Sequence, residues 1–186
     1  MDPMIRGTTL PLTARFILGN ESLKSRVPLE TLAEVTRISM TKPDIWAPRT
    51  QQVRLLKIID EASPDEESAY RNLVEGGEWV ANEAISTFLK LLLRVLSPKQ
   101  FARKFPDIWL HEHKGGYVEA ALGDHNTMVI TIRDVKDFSH IGPVSVGFVG
   151  TALRALGLKD LKIRDVGWTR ADPGPNDVRM EISWRQ

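Results

Sequence analysis

Tyr117-Val118-Glu119-Ala120-Ala121-Leu122-Gly123-Asp124-His125-Asn126-Thr127-Met128-Val129-Ile130-Thr131-Ile132-Arg133 decides the fold. Tyr117 to Leu122 and Thr127 to Arg133 read as strands, and Gly123 to Asn126 supply turn chemistry between them. This is a β-hairpin, and a second hairpin follows after a helix. Pro143 to Leu156 has helical composition and is stopped by Gly157. Leu161 to Arg170 and Val178 to Trp184 then form strands around Asp172-Pro173-Gly174-Pro175-Asn176. Along the last strand Val178, Met180, Ile182 and Trp184 alternate with Arg179, Glu181, Ser183 and Arg185, so one face is buried. Val166 and Trp168 share the apolar parity, while Leu161 and Ile163 oppose it. Either a bulge near Arg164-Asp165 or a strand buried on both sides is therefore expected.

Upstream of this ββαββ unit the chain reads as helices. Residues 12–18 are expected to form a loop or a short helix. Pro28 suits a first helical position, with Leu29, Leu32, Val35 and Ile38 behind it. Pro43 and Pro48 bracket a connector carrying Trp46, and Thr50 is the expected cap of a helix bearing Val53, Leu56 and Ile59. Ser63-Pro64-Asp65-Glu66-Glu67 reads as a helix start, with a cap, a proline and carboxylates at the positive end of the dipole. That helix is expected to run to Leu96. Gly76-Gly77 inside it marks either a break or a close approach of another backbone, because two glycines cost roughly 2 kcal/mol against alanine. Ser97-Pro98 ends the helix, and Pro98 to Phe105 reads as one more short turn. The expected fold class is α+β: an N-terminal helical half, 1–104, followed by a ββαββ subregion, 105–186, whose four-stranded antiparallel sheet packs against helices. Residues 1–186 are read as one domain.

Composition narrows the function classes. The 186 residues hold no cysteine, which excludes disulfides, thiol catalysis, Cys-ligated zinc and S-acylation and fits a cytoplasmic setting. The net charge of +1, from 25 basic and 24 acidic residues, gives no field to collect nucleic acid. The apolar run Leu91 to Leu96 is broken by Arg94 and falls far short of the ~20 residues of a membrane span. Met1-Asp2-Pro3-Met4 does not open a signal peptide.

In the second half the order of elements is characteristic. Ser97-Pro98 is followed by Phe105-Pro106-Asp107-Ile108-Trp109, then Gly116-Tyr117-Val118-Glu119. Next comes a helix with Gly147, Gly150, Ala155, Leu156 and Gly157, and finally Met180-Glu181-Ile182-Ser183-Trp184. It resembles a myxobacterial family of uncharacterised paralogues. More distantly it is similar to the superfamily of the haem–nitric-oxide-binding domain, the vinyl-4-reductase domain and the TRAPP trafficking subunits. The resemblance implies a unit that senses a small ligand or docks a partner. The haem-binding members carry Tyr-x-Ser-x-Arg, which neither Tyr70 nor Tyr117 begins, and the cysteines used elsewhere in the superfamily are missing. The expectation is therefore no cofactor, with haem and zinc both disfavoured.

Among chemical candidates, His111-Glu112-His113 is the most metal-like spelling. On a strand, His at i and i+2 point the same way, and Asp137 or His140 could join them, while His125 lies at the far end of the hairpin. The simpler reading is two solvated histidines. Ser139-His140 lacks the spatial geometry of a nucleophile and base, and reads as a loop leading into the Pro143 helix. Gly142 to Gly147 opens a helix that can hold an anion, but Gly147 and Gly150 read better as tight packing. Asp65-Glu66-Glu67 is a helix terminus rather than a catalytic pair. The mixed charges of Lys159, Lys162, Arg164, Arg179 and Arg185 with Asp160, Asp165 and Glu181 read as a solvated face. The five tryptophans belong mainly to the core.

The preferred reading is a non-enzymatic regulatory or sensor module, binding a small apolar molecule between the helices and the sheet or a protein partner, its own copy included as a homodimer. The expected lining is Trp79, Phe88, Trp109, Tyr117, Phe148 and Trp168. The alternatives are a metal-dependent or acid–base enzyme built on His111, His113 and Asp137, and a haem-based gas sensor.

Overall fold

A computed structural model describes residues 3–42, 45–84, 96–172 and 176–185. The expected ββαββ unit is present. Strand β4 (Tyr117–Gly123) pairs with β5 (Thr127–Arg133), helix α7 (Ile141–Ala155) follows, and β6 (Lys159–Val166) and β7 (Val178–Arg185) complete an antiparallel sheet of order β4-β5-β7-β6. His125 and Asn126 take positive φ, 56° and 58°, which closes the first hairpin tightly. Register places Met128 opposite Ile182, Ile130 opposite Met180 and Ile132 opposite Val178, so their side chains form one buried face. The bulge lies between Lys159 and Lys162, earlier than expected. The shift turns Ile163 and Asp165 inward, opposite Ile182 and Met180.

The helical half is α1 (Thr9–Gly19), α2 (Glu21–Lys24), α3 (Leu29–Ser39), α4 (Arg49–Glu61) and α5 (Glu66–Ala84). Several boundaries differ from the sequence reading for local reasons. Pro28 and Pro48 stand just before their helices as cap residues, and neither Pro28 nor Thr50 plays the expected part. At the start of α5 the cap is Asp65, whose Oδ1 accepts from the Ser68 N–H at 2.8 Å, whereas the Ser63 hydroxyl donates back to Ile59. The continuation expected to Leu96 crosses residues outside those described. Gly76-Gly77 does not break the helix. A Cβ at Gly77 would collide with the Val144 carbonyl oxygen, and one at Gly147 with the Val74 carbonyl oxygen. These glycines let α5 and α7 cross backbone to backbone.

Two features were not legible in the sequence. A small sheet of order β2-β1-β3 joins Met4–Arg6 (β1), Trp46–Pro48 (β2) and His113–Lys114 (β3). Strands this short carry no periodicity. The short turn expected at Pro98 to Phe105 is instead helix α6, Pro98–Glu112, which runs through Pro106. Proline removes one helical hydrogen bond. The helix survives because Ser97 and Gln100 form a reciprocal capping box and because Phe101, Ala102, Phe105 and Trp109 bury one stripe. Buried apolar residues from Ile5 to Trp184 form one contiguous core through both halves.

Candidate functional site

Where α4, α6, β3 and α7 converge, the packing leaves a pocket of about 70 Å³. Phe105, Ile108, Phe138, Val144, Phe148 and Val149 make an apolar side, and Thr9, Gln52, Trp109, Glu112 and His113 a polar one. Gln52 is 1% exposed. The Thr13 hydroxyl donates to the Thr9 carbonyl at 3.1 Å, so it must accept from Gln52 Nε2 at 2.8 Å. That fixes the amide orientation and leaves Oε1 buried without a partner. Trp109 Nε1, a donor only, and His113 Nδ1 are also buried and unpartnered.

His113 follows the last residue of α6, and its ring stacks on Trp109 at 3.8 Å, one helical turn back. Burial first, and then the Arg49 guanidinium, push its pKa down to about 3, so the imidazole is neutral. Arg49 is itself 3% exposed. It donates to the carbonyls of Lys114 and Gly115 and lies 5.3 Å from the Phe138 ring centroid, and burial lowers its pKa. Glu112 is engaged at the pocket's rim: Oε2 accepts from the Thr9 hydroxyl at 3.3 Å, and Oε1 lies 2.9 Å from His111 Nδ1.

The expected lining is brought together only in part. Trp109 and Phe148 line the pocket. Trp79 packs on Phe16 instead, with ring centroids 6.3 Å apart. Tyr117 is 46% exposed on edge strand β4. Trp168 belongs to another cluster, 5.5 Å from Tyr70 and 6.3 Å from His140. Phe88 lies outside the described residues. Of the expected metal set, His111 is in the last turn of a helix, not on a strand, and is exposed beside Arg6, whereas His113 faces inward. The two imidazoles do not share a side. Asp137 is exposed in the loop before α7, and the described residues bring no three metal-ligating side chains together. Gln52 escaped the sequence reading because nothing local distinguishes a glutamine on an amphipathic helix.

A second polar cluster joins the two halves. His140, 1% exposed with φ of 70°, sets Nε2 3.2 Å from Asp60 Oδ2 at the end of α4. Arg170 Nε lies 2.8 Å from Asp60 Oδ1, and its Nη2 donates to the Asp60 and Ser63 carbonyls at 2.6 and 3.2 Å. Burial lowers the His140 pKa despite Asp60.

No family model and no curated protein matches the chain. Solved structures do. An H-NOX protein from S. oneidensis in the Fe(II)NO ligation state superposes with a TM-score of 0.66 at 11% identity, over 98% of this chain and 100% of that one. The Fe(II) unliganded H-NOX protein from K. algicida gives 0.67 at 10% identity, over 98% and 97%. A variant H-NOX protein from T. tengcongensis gives 0.64 at 10%, over 94% of each. The expectation of no cofactor, haem included, is corrected on this finding, because the first two of these neighbours are described in Fe(II) states. The donor chemistry here fits a haem iron: His113 is a neutral buried imidazole with Nδ1 unpartnered, and one side of the pocket is apolar. The room is narrower, since cofactor-sized pockets run to about 300–1,000 Å³. At 10–11% identity the likeness establishes the architecture: helices and a four-stranded antiparallel sheet arranged as in the H-NOX fold.

Proposed function

We propose that the chain is a sensor module that takes a small ligand into the pocket between α4, α6 and α7. The observation that carries the reading is the set of buried, unpartnered polar atoms, Gln52 Oε1, Trp109 Nε1 and His113 Nδ1, on three residues that line one cavity. Each buried polar group left unpaired costs about 1–3 kcal/mol. A ligand that pairs them recovers that cost and so favours the state that holds it. The pocket also sits at a mechanical junction. His113 ends α6 and begins β3, which pairs with β1 through Ile5. A ligand that moves Trp109 or His113 therefore acts on α6 and the N-terminal strand together.

A second reading is favoured by the free Nδ1 of His113 and by the iron-bearing neighbours. Here His113 would hold a haem, which would supply an iron able to bind a gas. His113 Nδ1 would offer its lone pair to the iron, and Phe105, Phe138 and Phe148 would exclude water. A haem of this size enters only with the pocket wider than 70 Å³. One experiment tests both. The protein as purified is denatured, its released small molecules are identified by mass spectrometry, and the native protein is titrated with haem while the Soret region is followed. A stoichiometric organic ligand and no Soret shift supports the first reading. A saturable Soret band that His113→Ala abolishes supports the second. The absence of both results, together with a failure of xenon to enter the pocket, would count against a sensor built on it.

A further inference from the structure

The walls of the pocket specify more than its size. Beside the Thr9 and Ser145 hydroxyls, Gln52 offers the unpartnered acceptor Oε1, with one of its two amide N–H groups engaged by Thr13, and Trp109 offers only a donor. The remaining surface is largely hydrocarbon and aromatic, from Val80, Phe105, Ile108, Val144, Phe148 and Val149. A buried charge needs a partner. Glu112, the one charged residue of the lining among the described residues, already has one oxygen on Thr9 and the other on His111. A cation entering would share that carboxylate with Thr9 and His111, and would also face the nearby Arg49. An anion would approach Glu112. The cavity, about 70 Å³, is roughly half the 150 Å³ of an engineered apolar cavity that takes benzene.

We infer that the pocket selects a small neutral molecule with an apolar body and one end that both donates and accepts a hydrogen bond, as a short primary amide does. The amide N–H meets Gln52 Oε1, the amide oxygen meets Trp109 Nε1–H, and the alkyl body lies toward Val144 and Val149. His113 Nδ1 is the third polar atom of that end. This inference rests on the ligand-pocket reading above and deepens it.

The test uses propionamide and xenon on the full chain labelled with ¹⁵N and with ¹³C methyl groups. Trp109→Phe assigns the Trp109 indole N–H signal. Propionamide is expected to move that signal saturably, and xenon to move the Val144 and Val149 methyl signals. Gln52→Met keeps the length of the side chain and removes the acceptor. It is expected to weaken propionamide about tenfold, the scale of one neutral hydrogen bond, and to leave xenon unchanged. Trp109→Phe, read from the valine methyls, is expected to do the same, and it serves should Gln52→Met fail to fold. Xenon binding without propionamide binding overturns the inferred ligand class while the pocket stands. Equal propionamide affinity in wild type and both variants overturns the assigned partners. Binding of neither probe overturns the pocket reading itself.

Discussion

Asp165 sits on the inner side of the sheet, opposite Met180, with its carboxylate against Gly142 at the start of α7 and its Oδ2 buried and unpartnered. Burial raises its pKa to about 6 from 3.8. As pH rises through that window the unfolded chain releases its proton first, so the folded state loses stability between about 4 and 6 and stays lower above. Asp165→Asn is expected to stabilise the protein at neutral pH by about 1–2 kcal/mol, allowing for the screening of a partly exposed group, and to flatten that part of the profile. Urea denaturation of both proteins across this range checks it. An unchanged slope in the variant would show that Asp165 titrates normally. The sequence reading placed Asp165 on a solvated face, and the structure turns it inward instead. That depended on a bulge whose position no local signal marks.

At the level of elements, the α5–α7 crossing turns on Gly77 and Gly147, while Gly76 beside them has a different neighbour. Gly77 and Gly147 face backbone carbonyl oxygens that cannot yield unless the helices part. Gly76 faces the Phe16 ring, at 3.2 Å from a built Cβ, which can tilt. Alanine gains about 1 kcal/mol of helix propensity at any of these positions. Gly77→Ala and Gly147→Ala are nevertheless expected to lose about 2 kcal/mol net, because overpacking dominates. Gly76→Ala is expected to stay within about 0.5 kcal/mol of wild type, and equilibrium unfolding separates the cases. A Gly77→Ala protein as stable as wild type would mean that the crossing is loose. The glycine pair itself was readable as either a break or a close approach. Composition alone could not choose, since the choice lies with Val144, some 67 residues away. Similarly, the alternation of β7 fixed the inner face of the sheet, whereas the three-stranded β2-β1-β3 sheet rests on pairings across the chain that leave no pattern in any one segment. The site divides the same way. Trp109 and Phe148 were recoverable as aromatic residues beside the sheet, while Gln52 and the inward turn of His113 depend on how helices dock.

On the scale of the whole molecule, the helical half and the sheet are tied by the glycine seam, by β1–β3 pairing and by the Asp60, His140 and Arg170 cluster. The cluster is set apart from the outer-face ion pairs by burial. Asp60 keeps 15% of its side chain exposed and Arg170 31%, whereas Arg164 and Glu181 keep 73% and 38%. Exposed pairs contribute about 0–1 kcal/mol, but a partly buried carboxylate deprived of its cation loses charge-assisted hydrogen bonds worth about 1.5–3 kcal/mol each. Arg170→Gln is therefore expected to cost about 2 kcal/mol, and Arg164→Gln no more than about 0.5 kcal/mol. A second readout distinguishes lost attachment from lost packing. The folded pKa of His140 lies below 6.5, so the stability it governs is present above 6.5 and is lost as pH falls through that value toward the folded pKa. Without Arg170, the Asp60 carboxylate bears on His140 alone and raises its pKa, so Arg170→Gln should narrow the acid-sensitive window as well as lower the plateau. Imidazole NMR titration of both proteins measures the shift directly. A lowered plateau with an unmoved His140 titration would assign Arg170 to packing and leave the two halves joined mainly through the glycine seam.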